Sequence, residues 1–435
     1  MKNANNQLSR RAFLKSTIVG AAGISILPLS SCLKKDQAIR LGFIGLGQQV
    51  NYLQNSFLKI PGVKIVAGAD VYAIKRERFK LKAEKYYQEN EQKVDVQLYE
   101  DYKDLLANKN IDAVVIGSPD HWHARMAIDA CKAGKDIYLE KPLTLSIKEG
   151  QELVKAIQGS KLVLAVGSQQ RSDPNFQHAV NLALTGKIGT IEKVHVFLGE
   201  VDPHPKSYDL PEEPLPEGLN WEKWIGPAPK LHFNNMLNPS ISLDPVQNEQ
   251  FWGGWRWYKE LGGGLMTDWG AHMMDIAQWG LGVDKSGPVK VIPRGFEGTE
   301  FLTYLYANGV ELTHQPFNAD TRGVKFWGTD GWVEVARGYF NASDPSLFAP
   351  EDDDTEVPYE GRAPHHENFI ECIRSRNEPA APVLVGHKTC VACTLGNIAA
   401  ELGRPLEWNP DKEVFLDDAE ASTHLFREYQ NGYTL

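Results

Sequence analysis

From residue 39 onward the chain sets short, almost unbroken apolar runs against longer stretches whose apolar positions recur every three or four residues. Before residue 171 the short runs are IRLGFIGLG, VKIVAGAD, DAVVIGSP, KDIYLEKP and KLVLAVGSQ. A strand that is apolar throughout needs cover on both faces, so strands alternating with helices predict a parallel sheet sandwiched between helices. Beyond about residue 171 the rhythm changes. KVHVFLG, VKVIPRG, FLTYLYANGVELTHQ and GVKFWGTDGWVEVARG read as strands, and Asp330-Gly331 marks a tight hairpin. The expected fold is α/β: a doubly wound parallel sheet over 39–170, then over 171–435 an α+β domain with a large, mainly antiparallel sheet open on one face.

The first 32 residues read as an address, with 33–38 as a linker. Ser9-Arg10-Arg11-Ala12-Phe13-Leu14-Lys15 precedes an apolar run from Thr17 to Leu29 that is short for a bilayer span. The paired arginines resemble the bacterial twin-arginine signal, a route for proteins that are already folded and often carry a cofactor inserted in the cytoplasm. Leu29-Ser30-Ser31-Cys32 has the form of a lipobox. Lipid on Cys32, anchoring the chain to a membrane, is preferred over simple cleavage, and either places the mature protein outside the cytoplasm.

Composition narrows the chemistry. A formal net charge of -10 argues against a protein that holds polyanions by neutralising their phosphates, so nucleic acid is not an expected partner. Five cysteines in 435 residues make no disulfide framework, and Cys390 and Cys393 sit in an apolar helical stretch as packed thiols. His121 and His123 lack a third ligand nearby, so no metal is expected.

The first strand runs into Gly45-Leu46-Gly47, where glycines allow a tight turn and close approach to a pyrophosphate. The second strand ends in Asp70, placed to accept from a ribose hydroxyl, which favours NAD over NADP; Lys75, Arg76 and Arg78 follow and leave NADP open. Val50 takes the place of the third glycine, which should push the first helix slightly away from its strand. Further on, GGGLMTDWGAHMMDIAQWG reads as one helix entered through glycines. Leu265, Trp269, Met273 and Ile276 form its apolar stripe, and Asp268, His272 and Asp275 fall on another face. Seven of eleven tryptophans lie between 221 and 279. Trp269 is expected in the core, while Trp255 and Trp257, beside Arg256, are expected to wall a substrate pocket in which Arg256 and Trp257 touch substrate.

Ser118-Pro119-Asp120-His121-Trp122-His123 and Glu140-Lys141-Pro142, after the fourth and fifth strands, resemble the Gfo/Idh/MocA family of oxidoreductases. The resemblance extends to Gln169-Gln170-Arg171, to Gly262-Gly263-Gly264 leading to Asp268 and His272, to Gly328-Thr329-Asp330-Gly331-Trp332 and to His366-Glu367-Asn368-Phe369-Ile370. It implies a Rossmann domain holding NAD or NADP through Gly45, Gly47, Asp70, Ser118, His123, Glu140, Gln170 and Arg171. It also implies catalysis by Lys141, Asp268 and His272 on a sugar or cyclic polyol, and a homo-oligomer built through the open sheet. Two other readings stay beside it: an NAD-dependent glycosidase working by transient oxidation, and a sugar-binding lipoprotein without catalysis. Replacing Arg10 and Arg11 together by lysine should strand the protein in the cytoplasm in a cell-fractionation assay; normal export of that variant would contradict the twin-arginine reading.

Overall fold

The computed structural model describes residues 38–243, 252–318, 321–348 and 359–435. Arg10, Arg11 and Cys32 lie outside the described residues. The expected parallel sheet is present as β1 (Ile39–Ile44), β2 (Val63–Ala69), β3 (Gln97–Tyr99), β4 (Ala113–Ile116), β5 (Asp136–Leu139) and β6 (Leu164–Val166), in the order β3-β2-β1-β4-β5-β6. Every pairing in it is parallel. The apolar strands behave as their composition requires: Leu41 and Phe43 pack into one helical layer, while Ile44, Val114 and Ile116 pack into the other. The edge strand β3 was not among the predicted runs, because it is three residues long and half exposed.

One of these layers is completed from far along the chain. The helix Arg362–Ser375 buries Phe369, Ile370, Cys372 and Ile373 with Phe43, Phe57 and Tyr138 of the first domain. The helix Val383–Leu402 has the length and apolarity of a membrane span, but it lies within the molecule and supplies Val391, Leu395 and Ile398 to the core of the second domain. Its Cys390 and Cys393 are buried free thiols, and Cys390 Sγ accepts from the Leu143 amide at 3.1 Å.

The second sheet has nine strands: β7 (Ile191–Phe197), β8 (Lys290–Ile292), β9 (Leu302–Leu305), β10 (Glu311–His314), β11 (Gly323–Gly328), β12 (Gly331–Ala336), β13 (Tyr339–Ala342), β14 (Leu406–Asn409) and β15 (Val414–Phe415). Their order is β13-β12-β11-β7-β10-β9-β8-β14-β15. Only β7 and β10 pair in parallel. The hairpin falls one residue earlier than Asp330-Gly331 suggests: Gly328 pairs with Gly331, so Thr329 and Asp330 form the loop. Val194, Val196, Leu312 and Phe326 bury one face of this sheet against Met273, Ile276 and Leu395 of two helices.

The first of those helices is fixed by a buried ion pair. Arg171, expected at the cofactor, instead donates through Nε and Nη2 to both oxygens of Asp275, at 2.8 and 2.9 Å, and through Nη1 to Asp284 at 3.1 Å. Its guanidinium carbon lies 4.7 Å from the centre of the Trp279 ring, and Thr389 also donates to Asp275. Asp275, expected on a polar helix face, is fully buried, because Arg171 reaches in to neutralise it. Truncating one member of such a pair leaves a buried uncompensated charge, so Arg171→Ala should lower unfolding free energy by about 3–5 kcal/mol. Urea denaturation checks this, and a change under about 1 kcal/mol would contradict it.

Candidate active site

The nucleotide cleft is assembled at the carboxyl ends of β1, β2 and β4, where open parallel sheets bind ligands. Gly45, Gly47, Asp70, Gly117, Ser118 and Pro119 line one open cleft. Gly45 has φ +79, and a Cβ there would lie 2.6 Å from the Ser118 backbone, so glycine is required where the two turns meet. Val50 does not push the helix away. It packs over Gly117, where a Cβ would come within 2.6 Å of Val50 Cγ2, so the space expected at the third glycine is provided by the opposite strand. Asp70 is held rigidly, accepting from the amides of Leu46 at 2.7 Å and Tyr72 at 2.9 Å. Glycines that a side chain would displace, and an anchored carboxylate at the end of β2, fit an adenine dinucleotide.

Across the cleft mouth, Lys75 Nζ donates to Asn238 Oδ1 at 2.6 Å, and the rings of Tyr52 and Trp252 stack at 6.2 Å. These contacts join the two domains over the nucleotide cleft. Arg256 and Trp255 also line the cleft.

There the second domain meets Lys141. Lys141 Nζ donates to Asp268 Oδ1 at 2.6 Å and to the Asp268 carbonyl at 2.9 Å, while Arg256 Nε lies 3.4 Å from the same carboxylate. Burial pushes Asp268 up, but Lys141 and Arg256 pull harder, and the carboxyl sits below its ordinary value. Glu140 accepts from Gln49 at 2.7 Å and from the Lys141 amide at 3.2 Å, so it fixes the loop that carries the lysine. The predicted single helix breaks at Trp269 into Gly264–Asp268 and Gly270–Gly280. His272, in the second piece, is buried with Nε2 3.1 Å from Arg337 Nη2. Burial first, then Arg337 and Lys141, hold this imidazole well below its ordinary value, so it is neutral.

Other predicted residues stand further back. His123 spans the Pro142 carbonyl at 2.7 Å and the Ser118 carbonyl at 2.9 Å, tying the lysine loop to the nucleotide loop without lining the cleft. His121 faces the Trp224 carbonyl at 3.1 Å. Gln170 is buried against Met273, donating to its sulfur at 3.5 Å. Trp257 does not line the cleft: the tight turn Gly254–Trp257 turns Trp255 and Arg256 inward and leaves Trp257 39% exposed. Trp269 packs against the second-domain core, as its place on the apolar stripe predicts. It is partly buried under the guanidiniums of Arg322 and Arg337, 4.4 and 4.9 Å from its ring centre, and edge-on to His272.

Sequence reasoning missed Arg337, Arg322, Gln49 and Asp120. The arginines lie in loops at strand ends with no local motif around them. Asp120 was inside a quoted motif; burial pushes its carboxyl up to about 8 against the pull of Arg256 and Lys141. Gly45→Ala should weaken dinucleotide binding by about tenfold or more, since it adds left-handed strain to the clash with Ser118. Titration of added NAD checks this, and unchanged affinity would contradict the cleft assignment.

Comparison with known proteins agrees with both halves. Residues 39–168 match the NAD-binding Rossmann domain of the GFO_IDH_MocA oxidoreductase family, and residues 204–434 match its C-terminal alpha/beta domain. An uncharacterized oxidoreductase of Bacillus subtilis is 33% identical over 168 residues, 39% of this chain and 46% of that protein. A glycosyl hydrolase family 109 protein of Shewanella pealeana is 33% identical over 176 residues, 34% of this chain and 36% of its own. The scyllo-inositol 2-dehydrogenase (NAD(+)) of Bacillus subtilis is 31% identical over 157 residues, 35% of this chain and 42% of its own. The chain thus spans less than half the length of these three relatives. Among solved structures, the aldose-aldose oxidoreductase of Caulobacter crescentus superposes with a TM-score of 0.58 at 17% identity, covering 85% of this chain and 100% of that one. The myo-inositol 2-dehydrogenase of Lactobacillus plantarum gives 0.55 at 20% identity, covering 85% and 99%. With both domains matched in order over most of its length, the chain belongs to the Gfo/Idh/MocA oxidoreductase family.

Proposed function

We propose that this protein oxidises a secondary hydroxyl of a sugar, glycoside or cyclic polyol with a tightly held nicotinamide cofactor, and that it does so outside the cytoplasm. The observation that carries the reading is the Lys141–Asp268 bond, which sets an ammonium and a carboxylate beside Arg256, a residue of the cleft wall. A bound nicotinamide dinucleotide supplies the hydride acceptor. Lys141 uses two of its donors on Asp268 and has a third for the substrate oxygen. Asp268 accepts from a neighbouring substrate hydroxyl and keeps Lys141 in place. His272 takes the hydroxyl proton as hydride leaves the carbon. That last role requires the imidazole to be free of Arg337.

NAD is favoured over NADP. The Asp70 carboxylate would repel a ribose phosphate, Lys75 is directed to Asn238, and Arg76 donates to the Asp70 carbonyl at 2.6 Å. Export with a bound cofactor follows from the twin-arginine motif; without an NAD pool outside the cytoplasm, the cofactor is retained and regenerated in place. The contacts across the cleft mouth support retention. Lipid on Cys32 and assembly through the second sheet belong to the same picture. A second reading has its own support in the relative named for glycosyl hydrolase family 109: transient oxidation, elimination of the aglycone, and no net redox change.

Lys141→Ala and His272→Ala should each lower turnover by about a hundredfold or more while dinucleotide stays bound. Single-turnover mixing with glucosides, galactosides and inositols, following cofactor absorbance and sugar products together, checks this. Reduced cofactor with a ketosugar supports the dehydrogenase, glycoside cleavage without net reduction moves the assignment to the glycosidase, and unchanged activity of Lys141→Ala would remove the scheme.

A further inference from the structure

Four cationic side chains converge around Asp268, Trp269 and His272: Lys141, Arg256, Arg322 and Arg337. Asp268 answers two of them, Lys141 at 2.6 Å and Arg256 at 3.4 Å. Arg322 and Arg337 form no salt bridge among the described residues. They share the indole of Trp269, and Arg337 also lies 4.8 Å from the centre of the Tyr359 ring. Arg337 Nε is buried and has no hydrogen-bond partner among the described residues. Glu140 and Asp268 pull on Arg337 only from a distance, and both are engaged elsewhere, by Gln49 and by Lys141. Neither arginine lines the nucleotide cleft, so its phosphates are not their partners.

An aromatic face attracts a guanidinium but does not replace a counter-ion, and both arginines are partly buried, where a charge is more stable when paired. We propose that the partner of these two arginines is an oxyanion carried by the substrate: a sugar or polyol bearing a carboxylate, or a sulfate or phosphate ester. The planar guanidinium fork binds such groups through paired hydrogen bonds. Both arginines flank the second-domain sheet at neighbouring strand ends, Arg322 just before β11 and Arg337 just after β12.

The same contact governs the imidazole. A guanidinium has donors only, so His272 Nε2 accepts from Arg337 and Nδ1 carries the hydrogen. Nδ1 has no partner among the described residues. When Arg337 turns to a substrate oxyanion, the Nε2 lone pair is released to take the hydroxyl proton. A neutral sugar has no anion to draw Arg337 from His272 and is oxidised more slowly, so Arg337 acts as a specificity-determining residue that couples recognition of charge to proton removal.

The proposal rests on the oxidoreductase reading for turnover but not for binding, and the test separates the two. Full-length protein with its dinucleotide is offered methyl β-glucoside against methyl β-glucuronide, and glucose against glucose 6-sulfate and glucose 6-phosphate. Binding is read by tryptophan fluorescence and turnover by cofactor absorbance. The charged member of a pair should bind about tenfold to a hundredfold more tightly. Arg337→Leu and Arg322→Leu should each reduce that preference, and Arg337→Lys should retain part of it. The arm that responds tells a carboxylate from a sulfate or phosphate ester. Equal binding of charged and neutral members, failure of every charged member to bind, or a preference that survives both leucine variants would overturn the proposal. Preferred binding of a charged member without turnover sustains it while refuting the oxidoreductase reading; turnover of neutral sugars alone does the reverse.

Discussion

The site depends on one ion pair that crosses the domain boundary. Lys141 stands just past β5 of the nucleotide sheet, and Asp268 closes the short helix that follows three glycines in the second domain. Two largely buried charges persist only with close geometry and additional hydrogen bonds, and here the ammonium also donates to the Asp268 carbonyl. The bond therefore fixes a main-chain position as well as a side chain. Arg256 and His272 take their places relative to that point, one on the cleft side and one on the side of Arg337.

Around this contact the molecule uses polar anchoring rather than apolar packing. Glu140 and His123 hold the loop of Lys141 from the nucleotide side, through Gln49 and through the carbonyls of Ser118 and Pro142. Arg171 holds the helix of His272 through Asp275. Glu140, His123 and Arg171, which resemblance assigns to cofactor contact, thus tie together the segments that carry Lys141 and His272. Their burial predicts that a change of charge at Glu140 or Arg171 is costly.

Much of the fold was legible because its signals are local. Unbroken apolar strands predict a two-sided sheet, and Gly45 and Asp70 declare their roles by where they stand relative to β1 and β2. What escaped was long-range. Nothing near Val50 announces that Gly117, on another strand, makes room for it. Nothing in the spacing of Asp268, His272 and Asp275 shows that the helix breaks at Trp269, or that Arg171 draws Asp275 into the core. Trp269 fits an apolar stripe in sequence; two arginines from distant loops turn it into a wall of the site. Arg322 and Arg337 carry no motif of their own, and the closeness of Arg337 to His272 comes from packing the helix Gly270–Gly280 on the second sheet.

The central claim is that the cleft and the Lys141–Asp268–His272 cluster act on one substrate carbon. Transfer of deuterium tests it directly. The purified protein is incubated with C-deuterated inositols, glucosides and glucuronides, denatured, and its released dinucleotide analysed by mass spectrometry. Both dehydrogenase and transient-oxidation chemistry predict, when the reaction is quenched before reoxidation hands the label on, one deuterium on the nicotinamide ring of the reduced cofactor with at least one of these substrates. Substrate oxidised in that first half-reaction while the bound dinucleotide stays unlabelled would contradict the account.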